Sequence, residues 1–108
     1  MKGRKVIHYN DVEFEPYDLD GPLQPDMSCL TLSYKRDTRE GSYLIRMQPG
    51  AETIAHTHQR REEYIILEGS LIEDDGRVLR PGDYIIMDPG THHNSRTEEG
   101  CLLLGIDY

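Results

Sequence analysis

The chain has 108 residues, a length that accommodates one domain with a small core and no second folded unit. Its 20 acidic residues outnumber 12 scattered basic ones, for a net charge of −8, so the basic footprint that neutralises phosphates is missing and nucleic acid is excluded as an expected partner. The apolar runs fall far short of the roughly 20 residues that cross a bilayer, and no charged segment followed by an apolar one opens the chain, so neither a membrane span nor an export signal is expected.

Along the chain, residues 1–28 are the least patterned. Asp11, Glu13, Glu15, Asp18, Asp20 and Asp26 make them acidic, and Pro16, Pro22 and Pro25 break any long element. Val12 and Phe14 alternate with acidic residues, which suggests an ordered arm packed outside the main domain or at a subunit interface, with weak strand signals at 6–9 and 12–15. From residue 29 onward, strand-like runs alternate with turn signals. Strands are expected at 29–35, 42–48, 52–58, 62–68, 69–73, 77–80, 83–87 and 100–107, punctuated by Pro49-Gly50, Asp74-Asp75-Gly76, Pro81-Gly82, Pro89-Gly90 and Glu99-Gly100. Short strands at this spacing predict an all-β sandwich or barrel over 29–108. Cys29 and Cys101 form no metal-spaced pair and are expected as core thiols in a reducing cytoplasm.

The chemistry concentrates between Gly50 and Gly69. His56 and His58 are two apart, so on an extended strand both imidazoles project to one side. Glu62 follows after enough chain to turn and offer a carboxylate to the same point, and imidazole with carboxylate suits a first-row transition ion. Downstream, His92 and His93 follow Asp88-Pro89-Gly90-Thr91, and alternation turns one of the two inward. A lone histidine is more often structural, and His8 is read that way. Both faces of the strand from Glu62 to Glu68 are apolar, Tyr64 and Ile66 on one and Ile65 and Leu67 on the other, so its outer side needs cover and a homodimer is the expected state.

Gly50, His56-x-His58, Glu62 and Gly69 resemble the first motif of the cupin superfamily, and Gly82-Asp83, the run Tyr84 to Met87 and Pro89-Gly90-Thr91-His92-His93 resemble the second. Pro89 stands beside Gly90, where the common form places proline two residues earlier. From Tyr43 to Ile106 the chain is similar to the ChrR-type cupins, in which the module is the C-terminal domain of a zinc-dependent anti-sigma factor and also occurs in small metal dioxygenases. The resemblance implies a small jelly-roll cupin barrel and a site of His56, His58, Glu62 and His93. It leaves Glu63 outward or as an acceptor behind the ligands, and His92 or Tyr64 as a group steadying ligand or substrate. Met47, Tyr64, Ile66 and Met87 are candidate pocket walls.

Four protein ligands would saturate tetrahedral zinc, whereas around octahedral iron, manganese, nickel or cobalt they leave two positions for substrate. The leading expectation is therefore a non-haem metal-dependent oxygenase acting on a small enolate- or catecholate-forming molecule. Two others stand beside it: a zinc-binding sensory cupin that works through a protein partner, and a non-redox isomerase, because fold does not fix function.

Overall fold

A computed structural model describes residues 1–108, and it is almost entirely antiparallel β-structure. The strands are β1 (Glu15–Tyr17), β2 (Gln24–Thr31), β3 (Gly41–Met47), β4 (His56–Thr57), β5 (Glu62–Gly69), β6 (Leu71–Glu73), β7 (Val78–Leu79), β8 (Tyr84–Met87), β9 (His92–His93), β10 (Ser95–Arg96) and β11 (Cys101–Asp107). Six of them form one sheet in the order β1-β2-β3-β11-β5-β8, β10-β6-β7 form a second, and β4 and β9 pair as a short ribbon. The inward residues of the large sheet, among them Met27, Cys29, Met47, Tyr64, Ile66, Cys101 and Leu103, meet Leu71 and Leu79 of the smaller one in a single core cluster. No helix is long and apolar enough to cross a membrane.

Differences from the expected strands have local causes. The segment 52–58 was expected to be continuous, but only His56–Thr57 is a strand, preceded by an isolated bridge from Glu52 to Arg96. The His56 ring takes the Ile54 carbonyl at 2.8 Å, and Thr53 is tied to Ser95 by backbone and side chain, so the intervening backbone serves side chains and turns rather than a ladder. The strand expected to open at Cys29 starts at Gln24, and the N-terminal strand lies at 15–17, with Tyr17 only 3% exposed. The weak strand signals at 6–9 and 12–15 give no strand before Glu15; residues 9–11 form a 3-10 turn instead, and His8 accepts from the Asn10 amide at its start.

Tyr9 and Phe14 lie against the outer face of the large sheet. Arg46, Leu102 and Glu68 are neighbours across β3, β11 and β5. Phe14 lies with its ring centroid 5.2 Å from the Arg46 guanidinium, and the Tyr9 hydroxyl reaches Glu68 at 3.4 Å. Leu102, between these two contacts, is only 1% exposed although it points away from the inner core. Cys29 and Cys101 both pair with β3, on opposite sides of it, so a strand separates them, and both thiols are buried and free.

Two glycines on the large sheet are required by close approach. At Gly69, φ is +73° and an added Cβ would lie 2.0 Å from the Gly100 carbonyl oxygen, so only glycine lets β5 turn against β11 there. At Gly105 a Cβ would meet the Tyr43 ring at 2.7 Å; the missing side chain is the space that ring occupies.

Candidate metal centre

The two-residue ribbon brings the histidines together. In it His56 pairs with His93 and Thr57 with His92, while the His58 amide bonds to the Thr91 carbonyl and the Gly90 amide to the His58 carbonyl. The rings of His56, His58 and His93 form a near-equilateral triangle, with centroids 4.8, 4.9 and 4.7 Å apart. One ligand atom from each lies within 4.8 Å of the other two.

Hydrogen bonds set the tautomers. A carbonyl and a carboxylate can only accept, so His56 Nδ1–H donates to Ile54 at 2.8 Å and His93 Nδ1–H to Glu73 Oε2 at 2.9 Å. Each ring is left with a lone pair on Nε2. The Nε2 atoms of His58 and His93 are buried without a hydrogen-bond partner, a costly arrangement for a protein left to itself and the one a nitrogen-bound cation resolves. Burial, reinforced by His93 and His56, lowers the His58 pKa to about 4, which keeps the ring neutral and its lone pair free at neutral pH. The residues therefore fit a metal of imidazole preference.

Glu62 stands beside this triangle. Its Oε1 is 3.6 Å from His58 Nε2, and its Oε2 accepts from the Tyr43 hydroxyl at 2.8 Å. The same hydroxyl is 2.7 Å from Asp107. Burial and then the Asp107 charge raise the Glu62 pKa to about 8, against the opposing effect of the Tyr43 bond. Behind His93, Glu73 accepts from Tyr64 at 2.5 Å, from His93 and from Ser95 at 2.9 Å. Burial alone would raise its pKa, but these donors outweigh burial and the carboxyl is held below its ordinary value. Burial works to lower the His93 pKa, and the bond to Glu73 reverses it into a net rise.

Two hollows meet at the cluster. An inner one of about 40 Å³ is lined by Met47 and Tyr64, along with Met27, Ile45, Leu71 and Leu103. An outer one of about 160 Å³ has no apolar residue in its wall. Ile66, 1% exposed, belongs to the core and lines neither, while Met87 borders a separate groove that also reaches His93. His92 is exposed and bonds to the Thr57 hydroxyl at 2.8 Å, and the outward Glu63 receives the Tyr84 hydroxyl at 2.6 Å and the Tyr108 hydroxyl. Sequence reasoning missed Glu73, Tyr43 and Asp107. Only Glu73 carried a signal: Leu71-Ile72-Glu73 alternates so that the carboxylate shares the inward side with Leu71.

The profile of the ChrR cupin-like domain matches residues 2–106. The chain belongs to the ChrR cupin-like domain family. An RmlC-like cupin from Shewanella frigidimarina has a similar structure at 20% identity, TM-score 0.75, over 97% of this chain and 90% of that one. The polyketide cyclase RemF from Streptomyces resistomycificus matches at 24% identity, TM-score 0.74, over 96% and 78%. The anti-sigma ChrR of Rhodobacter sphaeroides, in complex with SigE, matches at 17% identity, TM-score 0.74, over 94% of this chain. This cupin chain spans about half of that protein, 52% of its length. At these identities the likeness concerns the fold. No curated protein matches the chain.

Proposed function

We propose that this cupin binds one divalent first-row metal through His56, His58 and His93 with Glu62 as fourth donor, and acts as a non-haem oxygenase on a small oxygenated molecule. The observation that carries the reading is the pair of buried, unpartnered Nε2 atoms on His58 and His93, beside a hollow on either side of the cluster. Iron, manganese, nickel, cobalt and zinc are all compatible with the donor set. A bound ion of this class supplies Lewis-acid chemistry and, for a redox-active metal, one-electron chemistry.

The chain's own groups prepare the site for it. Ile54 and Glu73 hold the imidazoles of His56 and His93 as Nδ1–H tautomers, and Tyr43 holds Glu62 at the edge of the triangle. With Glu62 so tethered, the donor set is open toward both hollows, which favours a centre that takes a ligand over a closed one. A candidate acetylacetone dioxygenase from Methylibium petroleiphilum shares the fold at 11% identity, TM-score 0.78, over 99% of this chain and 78% of that one, and lends the oxygenase reading a precedent. The apolar residues left on the outer face, Leu67, Tyr84 and Ile86 on or beside the edge strand β8 and Ile106 one strand further in, support self-association as a homodimer.

A second reading rests on the ChrR relationship, in which the structural neighbour contacts a sigma factor. It makes this cupin a zinc-binding regulatory module acting on a protein partner. Metal analysis of protein purified without added metal, with spectroscopy of the coordination number, separates the two. Iron or manganese in an open site, together with oxygen uptake on β-diketones or hydroxyacetophenones, is the oxygenase result. Four-coordinate zinc with no oxygen uptake across a broad substrate panel overturns it. His58→Ala is expected to abolish stoichiometric metal in either case; retained metal removes the assignment of the site.

A further inference from the structure

The two hollows differ in chemistry, and the donor cluster sits between them. His58 lines only the outer one, His93 only the inner one, and His56 and Glu62 line both. A molecule held at the cluster therefore faces two environments at once. The outer wall is polar throughout, with Asp20, Arg39, Gln59 and Arg60 among its residues.

The inner chamber looks mixed by composition, because Tyr17, Tyr43, Thr53, Tyr64 and Ser95 line it beside its aliphatic residues, and Asp20, like His56 and Glu62, is shared with the outer hollow. Their hydroxyls are already engaged. Tyr17 donates to Asp20, Tyr43 is bonded to Glu62 and Asp107, Thr53 donates to the Ser95 carbonyl, and both Tyr64 and Ser95 donate to Glu73. Each hydroxyl has one proton, so none is left to donate to an incoming oxygen. A polar group pushed into this chamber would lose water without replacement. An alkyl group there would leave water and meet Met27, Ile45, Met47, Leu71 and Leu103.

Size limits that group. A hollow of about 40 Å³ compares with about 10–15 Å³ needed for one water-sized atom, which leaves room for about three heavy atoms. We propose that the site selects a small oxygen chelator carrying one short, unbranched alkyl substituent of up to about three carbons, which fills the inner chamber while the polar remainder faces the outer hollow. This deepens the proposed function and rests on its metal assignment.

The test uses the full chain loaded with cobalt(II) and a series of simple carboxylates, formate, acetate, propionate, butyrate, hexanoate and benzoate, with affinity read from the visible absorption of the ion. Binding is expected to tighten about fourfold per carbon up to butyrate, then to weaken at least tenfold for hexanoate and benzoate. Enlarging the chamber with Leu103→Ala should move the optimum toward hexanoate. Because that change opens the core, the milder Ile45→Val is measured beside it and should improve the hexanoate-to-butyrate ratio in the same direction.

Cobalt bound at one equivalent with affinities independent of chain length, or with benzoate tightest, overturns the chamber proposal and leaves the metal site standing. Failure to take up cobalt overturns both.

Discussion

Glu62 and Glu73 are the same residue in the same small barrel, each beside a histidine of the cluster, yet their surroundings give them opposite properties. Glu73 is met by three donors, Tyr64, His93 and Ser95, and stays ionised below the ordinary range. Glu62 has only the Tyr43 hydroxyl, shares it with Asp107, and is pushed up to about 8. The number of donors converging on a buried carboxylate decides whether it becomes a fixed anion that aims a neighbour or a loosely committed one that can change partner. Glu73 is the fixed orienting group and Glu62 the adaptable one.

The strongest way to break this contrast is to remove the fixed member. Glu73→Ala leaves the His93 Nδ1–H and the Tyr64 and Ser95 hydroxyls without their buried acceptor, so a stability loss of about 3–5 kcal/mol is expected from urea unfolding. Metal affinity should fall about 10–100-fold in a competition titration, because the group that orients His93 is gone. If metal affinity is unchanged in folded Glu73→Ala, Glu73 does not orient His93.

Cutting the tether on the adaptable member is expected to do less. Tyr43→Phe removes the hydroxyl between Glu62 and Asp107 and should cost about 1.5–3 kcal/mol of stability, the range for a hydrogen bond to a charged group. It should also alter the absorption of the cobalt-loaded protein by freeing Glu62, whereas a spectrum identical to the wild type would show that the tether does not govern that carboxylate.

The smallest effect is a pH dependence in metal-free protein. Glu62 has a folded pKa of about 8, above the unfolded value of about 4.3, so its contribution is fully present below the unfolded value and is lost as pH rises through the folded one. His58, lowered to about 4, works in the other direction, its contribution present above about 6.5 and lost as pH falls. His93, whose pKa is raised, adds to the Glu62 direction. The two opposing groups offset one another at acid pH, and above about 6.5 the Glu62 direction prevails. The melting temperature should therefore decline between about pH 6.5 and 8, and the decline should be shallower in Glu62→Gln. Equal slopes would mean that Glu62 is not the group responsible.

The contrast also marks how far sequence could reach. Alternation, turn glycines and the His56-x-His58 spacing were readable because they are local; they located β3, β5, β8 and β11 closely. The tether was not, because Tyr43, Glu62 and Asp107 meet only through the sheet order β3-β11-β5, and Tyr43 and Asp107 are 64 positions apart. The short β9 and β10 passed unnoticed for another reason: two residues are too few for a period of two to register. Glu73 was legible in principle, since a carboxylate on the inward side of an alternating strand requires partners.

The β4-β9 ribbon has a mechanical consequence. The ribbon is one of several fastenings between the His56 and His93 segments, with the Glu52–Arg96 bridge, the Thr53–Ser95 bonds and the backbone bonds of His58 to Gly90 and Thr91. An ion gripped by three imidazoles would rivet these two stitched stretches of chain at one further point. Order already present at that end of the barrel would be reinforced by the occupant, and the mouth of the site would stiffen on filling.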